Sequence, residues 1–427
     1  MNHPLRRVRN PFIRVGLLTA IIIASIPTLA FSEVVQTAVV ATVAADYSSG
    51  AHSIISVDPV GGPRTVENDL LPTISDIMVA AYENYFYRIA RYQSDSITKF
   101  DIAAPDTPVY QYSVLDSGET GSANPHAMIF LNDQKAYVLR YGKTKAWIVN
   151  PSAASEAEFK IGELDLSSYA DFDDIPEMDN GIIVDGVLYI CIQRLDRSGF
   201  PWGQPNTAYV ALFDTATDTE IDTGVANTDG VKGIPLPIKN PGAIQYLAAN
   251  DTIYLQGAGS LFSTPPVYSG GIITIDPSNY DTALLVDDGD ASSHPYGNIS
   301  GMAIVSADKG YFIGYAGWGD NTVYGFSPTT GAVGGPVHAD LTGKNIAGMQ
   351  SGAYADQNGM LWICNQTDAE VTVLDTSDDT IDEKISTNLN PIMVAFTTEG
   401  TAGSGSGGGG SSSTCFIDTA VFGFFSK

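Results

Sequence analysis

The feature that most constrains the fold is a short unit that recurs seven times along the chain. Each copy is an apolar run with period-two alternation that ends in Asp, Asn or Ser, often followed by Pro or Thr. The copies are IISVDP with Asp58, ITKFDI with Asp101, AWIVNP with Asn150, VALFDT with Asp214, IITIDP with Asp276, VYGFSP with Ser327 and VTVLDT with Asp375. Alternation closed by a turn-forming residue predicts a β-strand, and an Asp or Asn side chain there is expected to cap the turn.

Three further strands are predicted around each copy. A strand rich in Tyr and Trp precedes it, a small apolar strand comes before that, and a more polar strand follows. The small apolar strands are DIMVAA, HAMIFL, GIIVDG, GAIQYLAA, SGMAIVS and QSGAYAD. Four strands per unit of roughly 45 residues predict an all-β, seven-bladed β-propeller with the small apolar strand innermost in each blade.

The two ends of the repeat region predict how the ring closes. The first unit begins at QTAVVATVAADY and has no small apolar strand before it, whereas a spare one, NPIMVAF, follows the last unit at residues 390–396. A C-terminal inner strand that joins the N-terminal blade would remove the exposed sheet edges. A pair of β-sandwiches, the alternative fold, would explain neither the count nor this closure.

Charge and the N-terminal segment predict export. The 427 residues carry a formal charge of −27, and such a surface repels the phosphates of nucleic acids. Residues 1–32 contain Arg6, Arg7, Arg9 and Arg14, then a 16-residue apolar core and small residues before a cleavage point, as in a signal peptide. We therefore predict a monomer located at the cell surface, outside the cell or in the periplasm. It would bind no nucleic acid and would have no transmembrane span after cleavage.

The last blade resembles the YVTN-type β-propeller repeat. That family has a Tyr-Val-Thr-Asn strand, a strand ending in Ile-Asp, and Asn-Pro before the next inner strand. LWICN at residues 361–365, VTVLD at residues 371–375 and Asn390-Pro391 take those places. The resemblance covers residues 36–397 as architecture. It implies an exported or surface protein of bacteria, and the repeat itself implies no catalysis.

The end of the chain reads as a linker and a tail. Residues 400–414 are rich in Gly and Ser, as in a flexible spacer, and residues 415–427 are CFIDTAVFGFFSK. This tail resembles the C-terminal CFI-box motif of exported bacterial proteins, although Asp418, Val421 and Phe422 depart from it. We predict that Cys415 serves sorting or attachment, since an exposed thiol is otherwise a liability in an exported protein. A disordered tail with an incidental thiol is the alternative.

One face of the predicted ring carries the longest insertions. This upper face bears the loops between blades and the loops that join the second and third strands of a blade. Exposed aromatic side chains there favour a protein, peptide or glycan partner, and packing of the loops onto the ring is the alternative. The aromatic set comprises Phe200, Trp202, Phe262, Tyr268, His294, Tyr296 and Trp318.

The mouth of the central channel is a second predicted site. Polar residues that enter the inner strands would converge there, and their oxygen atoms suit a hard cation such as calcium. These residues are His126, Glu177, Asp179, Asn180, Asn240, Asn298 and Asn390. Turn positions favour Asn and Asp in any case, so no cofactor is expected and calcium is the candidate if one binds.

The sequence leaves three functions open. The first is an exported binding module, the second a propeller hydrolase or lactonase with calcium in the channel, and the third a structural component of the surface or matrix. No nucleophile elbow of the GxSxG type and no cysteine or histidine pair with metal-ligand spacing is present in the sequence, so no motif argues for an enzyme.

Overall fold

The computed structural model describes Met1 and residues 35–260, 263–349 and 356–399. Apart from Met1, the predicted signal peptide lies outside these residues, as do the predicted linker and tail, Phe262 and Cys415. Within the described ranges, no helix has the length and apolar character needed to cross a bilayer. The short 3₁₀ helices are Glu156–Glu158, Ser167–Tyr169 and Ala339–Leu341.

The first sixteen strands form blades 1 to 4. They are β1 (Val35–Val43), β2 (Gly50–Ser56), β3 (Val66–Thr73), β4 (Ile77–Tyr82), β5 (Tyr85–Ala90), β6 (Ser96–Asp101), β7 (Pro108–Ser113), β8 (Pro125–Asn132), β9 (Lys135–Arg140), β10 (Lys145–Val149), β11 (Lys160–Asp165), β12 (Met178–Val184), β13 (Val187–Ile192), β14 (Tyr209–Asp214), β15 (Thr219–Glu220) and β16 (Ile234–Pro235).

The remaining strands form blades 5 to 7 and close the ring. They are β17 (Pro241–Leu247), β18 (Thr252–Gly257), β19 (Gly271–Ile275), β20 (Thr282–Val286), β21 (Asn298–Ile304), β22 (Gly310–Gly317), β23 (Asp320–Phe326), β24 (Val333–Pro336), β25 (Thr342–Lys344), β26 (Ile346–Met349), β27 (Met360–Asn365), β28 (Glu370–Asp375), β29 (Thr380–Ser386) and β30 (Asn390–Glu399).

The strands pair into seven antiparallel sheets, which are the blades of a β-propeller. Each of blades 2 to 7 is a sheet of consecutive strands, from β4–β7 in blade 2 to β26–β29 in blade 7. Blade 1 has the order β3-β2-β1-β30, so its inner strand comes from the other end of the described chain. The predicted fold class, the seven blades and the closure by the spare C-terminal strand are therefore confirmed.

In five of the seven units, the repeated acid or amide acts as a turn cap, as its position predicted; Asp58 instead accepts from the side chains of Gln357 and Asn358. In blade 4 the Asp214 carboxylate accepts from the backbone N–H groups of Ala216 at 3.0 Å and Thr217 at 2.8 Å. Asp101, Asn150, Asp276 and Asp375 accept in the same way from the residue two positions later. The cap satisfies backbone donors that leave the sheet at the end of the third strand, and it fixes where the fourth strand begins.

Small side chains on the inner strands let the blades approach one another. Gly181 of β12 shows the constraint, because a Cβ atom there would lie 2.4 Å from the carbonyl oxygen of Tyr189 and 2.9 Å from the Cδ1 atom of Ile129. The buried core lies between neighbouring blades in several clusters, for example that of β12–β14 with β17–β19. In blade 7 the inner strand β26 precedes the predicted segment QSGAYAD, most of which lies outside the described residues.

Candidate functional site

All predicted site residues that the structure describes lie on the upper face. The aromatic set is carried by the β13–β14 loop, the β18–β19 loop, the β20–β21 connection and the β22–β23 turn. The polar set lies at or just before the first residues of β8, β12, β17, β21 and β30. The order of the strands therefore places these side chains on one face of the ring, and the structure shows which of them meet.

The described parts of the β18–β19 loop, residues 258–260 and 263–270, are held in place by polar side chains of their neighbours. The Asn240 amide donates to the carbonyl oxygen of Gly259 at 3.2 Å. The Asn298 amide donates to two further carbonyl oxygens of the loop at 3.0 and 3.1 Å. The buried Asp288 carboxylate accepts from the N–H of Gly270 at 3.0 Å. Asn240 and Asn298, predicted as channel ligands, are thus loop anchors.

An aromatic cleft opens between blades 5 and 6 beside this loop. Tyr268 of the loop stacks on His294 with ring centroids 4.2 Å apart and planes within 9°. The cleft has a volume of about 180 Å³. It is lined by Tyr268, His294, Pro295, Tyr296, Gly297, Gly314, Ala316, Thr322 and Tyr324. Three members of the predicted aromatic set therefore meet at one concave surface.

The chain enters the cleft through a sharp turn at Gly297. Its φ is 67°, and a Cβ atom there would lie 2.1 Å from the carbonyl oxygen of Tyr315. Only glycine fits this close approach of two backbones at a left-handed φ. The turn places Tyr296 against Phe312 and Tyr324 at nearly perpendicular ring planes. Tyr296 thereby becomes a fixed wall of the cleft.

The other described members of the predicted aromatic set, Phe200, Trp202 and Trp318, do not line the cleft. Phe200 is 67% exposed and Trp318 is 55% exposed. Trp202 is half-buried, and the guanidinium of Arg197 lies 5.7 Å from the centre of its ring. Phe172, in the connection between β11 and β12, is 61% exposed on the same face, although the sequence did not single it out.

The mouth of the channel is shaped by a left-handed residue and a bulge before several inner strands. Asn124, Glu177 and Asn240 have φ of 46°, 52° and 55°, and each directly precedes the first residue of β8, β12 or β17. The pairing register then shifts within the first residues of β8, β12 and β17. A bulge re-aims the side chains beside it.

His126 and Asp179 are the two predicted channel residues that contact each other directly. The Nδ1 atom of His126 donates to the Asp179 carboxylate at 2.7 Å, and its Nε2 atom accepts from the Arg91 guanidinium at 2.6 Å. Burial and the charges of Arg91 and Arg197 hold the pKa of His126 well below its usual range. The imidazole is therefore neutral, and its lone pair is engaged by Arg91. Tyr141 stacks on the ring at 3.9 Å.

Glu177 is fully buried beside this network. One carboxylate oxygen accepts from the N–H of Leu195 at 2.9 Å, and the other lies 3.2 Å from the Nε atom of Arg197. Burial and the nearby charge of Asp173 raise the pKa of Glu177 to about 9, against the opposing charge of Arg197. A buried carboxyl with so raised a pKa is a candidate proton donor or acceptor.

The remaining channel residues are engaged locally, and the predicted calcium site gains no support from their arrangement. The amide oxygen of Asn180 accepts from the N–H of Gly181 at 2.8 Å, and Asn390 begins β30 opposite Val43. Across the described ranges, no three His, Cys, Asp or Glu side chains are grouped as metal ligands. Calcium at the channel mouth stays a prediction.

The sequence missed several residues that complete both sites. Tyr324 and Thr322 share one face of β23 by simple alternation, and that spacing could have placed them beside Tyr296. Arg91 and Arg197 come from different blades, and no local pattern links them to His126. Asp288 was also missed; burial raises its pKa to about 6 although it accepts a backbone hydrogen bond.

Comparison with known proteins identifies the fold and leaves the family open. No family model matches the chain, and no curated protein matches it in sequence. Among solved structures, hydrazine synthase from Kuenenia stuttgartiensis is 13% identical, with a TM-score of 0.52 over 76% of this chain and 95% of that chain. At this identity, the likeness supports the β-propeller fold alone.

Two further solved structures have lower TM-scores. Apo AztD from Citrobacter koseri is 11% identical with a TM-score of 0.49, covering 86% of this chain and 99% of that chain. Virginiamycin B lyase from Staphylococcus aureus is 11% identical with a TM-score of 0.48, covering 73% of this chain and 83% of that chain. The blades and the closure described above define this chain as a seven-bladed β-propeller.

Proposed function

We propose that the chain is an exported β-propeller of the cell surface or extracellular space that binds a partner through its aromatic cleft. The stacked pair Tyr268 and His294, held by an anchored loop at the edge of an open cleft, carries this proposal. Aromatic surface that is already ordered before binding loses little conformational entropy when a ligand arrives. The three anchors Asn240, Asn298 and Asp288 supply that order.

Binding to cell-envelope material tests this function. The purified protein is applied to arrays of envelope polysaccharides and peptides, beside a Tyr268→Ala variant that loses the stack. We expect the variant to bind at least about tenfold more weakly, as for a central aromatic anchor. Phe172→Ala is the matched control, because it removes an exposed ring from the same face outside the cleft. Equal binding of wild type and Tyr268→Ala would refute a role for the cleft.

Three sequence features support the cellular location in this proposal: the YVTN-like repeat, the signal segment and the CFI-box-like tail. Residues 1–32 would direct export, and the linker at residues 400–414 would present Cys415 away from the ring. A Cys415→Ser protein is expected to shift from the cell fraction to the culture supernatant. Cell-surface retention equal to wild type would overturn the role of the thiol in sorting or attachment.

A propeller hydrolase is the second candidate, and buried Glu177 is the observation that favours it. A carboxyl with a pKa of about 9 beside a neutral histidine could transfer protons. Against this, the Nε2 atom of His126 is engaged by Arg91, so a general base would require that contact to open. Calorimetric titration with Ca²⁺ tests the metal. Heat and a thermal shift that disappear in Glu177→Gln would favour the hydrolase. If Ca²⁺ produces neither heat nor a thermal shift in the wild-type protein, the calcium hypothesis is refuted.

The third function that the sequence left open is a structural role in the surface layer or matrix. Pull-down from envelope extracts separates it from ligand binding. A structural component would co-purify with the envelope polymer equally well after Tyr268→Ala. A protein that binds its ligand through the aromatic cleft would co-purify less well after this substitution.

A further inference from the structure

The lining of the aromatic cleft has an unusual balance of chemistry. Of its nine described residues, three are tyrosines and one is a histidine, and none is Lys, Arg, Asp or Glu. Thr322 is the only other side chain with a hydroxyl group in this described lining. The cleft is therefore rich in π surface and offers no Lys, Arg, Asp or Glu side chain for a direct ion pair.

The rings around the cleft lie at different angles. Tyr296 and Tyr324 have centroids 5.1 Å apart with planes at 66°. Tyr268 and His294 form a parallel pair at 4.2 Å in the same lining. Phe312 lies behind Tyr296 and Tyr324 at 5.4 and 5.3 Å and holds both rings. Ring faces in several orientations around a small volume suit a compact, nearly spherical group better than a flat one.

Acidic residues lie near the cleft in a chain of high negative charge. Burial raises the pKa of Tyr324, and the charge of Asp320 adds to that rise, so this carboxylate is near the lining. Asp290 lies in the same connection as His294, whose Nδ1 atom is 3.0 Å from the Asp290 carbonyl oxygen. The whole chain carries −27. Such a field attracts cations and repels carboxylates and phosphates.

From these observations we infer that the aromatic cleft binds an alkylammonium group, with a quaternary ammonium as the best fit; this inference rests on the binding function proposed above. A cation over tyrosine faces is attracted by the ring quadrupole, most strongly where water is displaced. A guanidinium fits less well, because the lining contains no carboxylate to receive its planar fork. A volume of about 180 Å³ is large enough for a trimethylammonium head.

A ligand pair that differs only in charge tests the inference. Choline and its neutral isostere 3,3-dimethyl-1-butanol are titrated into the full-length protein by calorimetry or by NMR. Choline is expected to bind roughly tenfold more tightly, since a desolvated cation–π contact contributes on the order of 1–2 kcal/mol. Equal affinities would overturn the inference, because the cleft would then be merely apolar. The inference would also be overturned if choline showed no binding at a concentration 100-fold above a dissociation constant of ~1 mM.

Variants separate π surface from apolar volume. Tyr296→Phe keeps the ring and is expected to bind choline within about twofold of wild type. Tyr296→Leu keeps an apolar side chain without the ring and is expected to lose roughly tenfold. Asp320→Asn is expected to weaken choline by a few-fold at low salt and to leave the neutral isostere unchanged. Thermal melts check that each variant is folded. Equal losses of choline affinity in Tyr296→Phe and Tyr296→Leu would contradict binding by the aromatic rings of the cleft.

The source of the ammonium group is resolved by three probes. Soluble choline, phosphatidylcholine vesicles and a peptide with trimethyl-lysine present the same head in different settings. If one of these probes binds and its binding depends on the Tyr296 ring, the result supports ammonium binding in the aromatic cleft and identifies the source. If no ammonium probe binds but Tyr268→Ala still loses an envelope glycan or peptide, this inference fails while the proposed binding function stands. If choline binds but Tyr268→Ala leaves envelope binding unchanged, the proposed function fails.

Discussion

Glu177 combines a backbone conformation and a protonation state that glutamate does not favour in solution. Its φ of 52° lies in the left-handed region, where a residue with a Cβ atom is strained. Its carboxyl is fully buried, and burial raises the pKa to about 9. Strain of about 1–3 kcal/mol persists only where the surroundings determine the conformation, here the Leu195 N–H and Arg197.

The raised pKa of Glu177 predicts a pH dependence of stability. The ordinary pKa of a glutamate is 4.5, so between pH 4.5 and about 9 the folded protein holds a proton that the unfolded chain has lost. The contribution of this group to stability is complete below pH 4.5 and is lost as pH rises toward 9. Glu177→Gln keeps the shape and removes the titration.

Denaturant unfolding of wild type and Glu177→Gln at pH 5, 7 and 9 measures this effect. We expect the free energy of unfolding of wild type, relative to the variant, to fall by at least about 1.4 kcal/mol across the range, the equivalent of one pKa unit. Other titrating groups cancel in the difference. A relative stability that stays constant between pH 5 and 9 would mean that Glu177 is already ionised in the folded protein, as expected for a carboxylate paired with Arg197.

At the scale of elements, one contact between neighbouring blades occurs twice with the same chemistry. Lys135 and Tyr137 of β9 donate to the Asp218 carboxylate in the β14–β15 turn at 2.8 and 2.9 Å. Lys309 and Tyr311 of β22 donate to the Asp379 carboxylate in the β28–β29 turn, each at 2.6 Å. Burial raises the pKa of both tyrosines, and the bond to the carboxylate adds to the rise, so both hydroxyls stay donors.

This clamp predicts graded losses of stability on substitution of Asp218. Asp218→Ala leaves the Tyr137 hydroxyl and the Lys135 ammonium without this acceptor, and we expect a loss of about 1–3 kcal/mol. Asp218→Asn keeps an acceptor oxygen and tolerates the φ of 56°, so its loss should be less than half as large. Asp379→Ala and Asp379→Asn repeat the comparison at the second clamp. Equal losses for Ala and Asn, measured by urea unfolding, would contradict the hydrogen-bond explanation.

At the scale of the whole molecule, stability depends on the seam between the two ends of the propeller. β30 pairs with β1 from Val35↔Glu399 to Val43↔Asn390. Across the same seam, the buried Arg64 of blade 1 binds Asp382 at 2.6 Å and Glu383 at 2.9 Å in blade 7. The ring is thus closed by a ladder within blade 1 and by ion pairs to blade 7.

Two truncations test the closure. A chain that stops after residue 389 lacks β30 and leaves the edge of β1 unpaired, so we expect no cooperative unfolding transition. A chain that stops after Glu399 keeps the whole ladder and is expected to melt within about 2 °C of the full chain. A loss of 1 kcal/mol would lower the melting temperature by roughly 2–4 °C in a domain of about 150–250 residues. Differential scanning calorimetry distinguishes the two, and a normal melt for the shorter chain would refute closure by β30.

Much of the fold could be predicted from the sequence because its signals are local. Alternation, the cap at Asp214 and its equivalents, and the small residues of the inner strands each act within a few positions. The closure was readable from a missing strand at one end and a spare one at the other. Repetition made these weak signals consistent, since the same pattern recurred in seven units.

The contents of the sites were decided by tertiary structure. Asn240 and Asn298 turn toward the loop of blade 5 instead of the channel, because a polar side chain at a strand start bonds whichever backbone group lies next to it. Tyr324 joins Tyr268, and Arg91 meets His126, only where adjacent blades are packed. By itself the sequence determined a seven-bladed ring and the face that carries its aromatic and polar residues. Which of them meet depended on the packing between blades, since those contacts join residues that no local pattern connects.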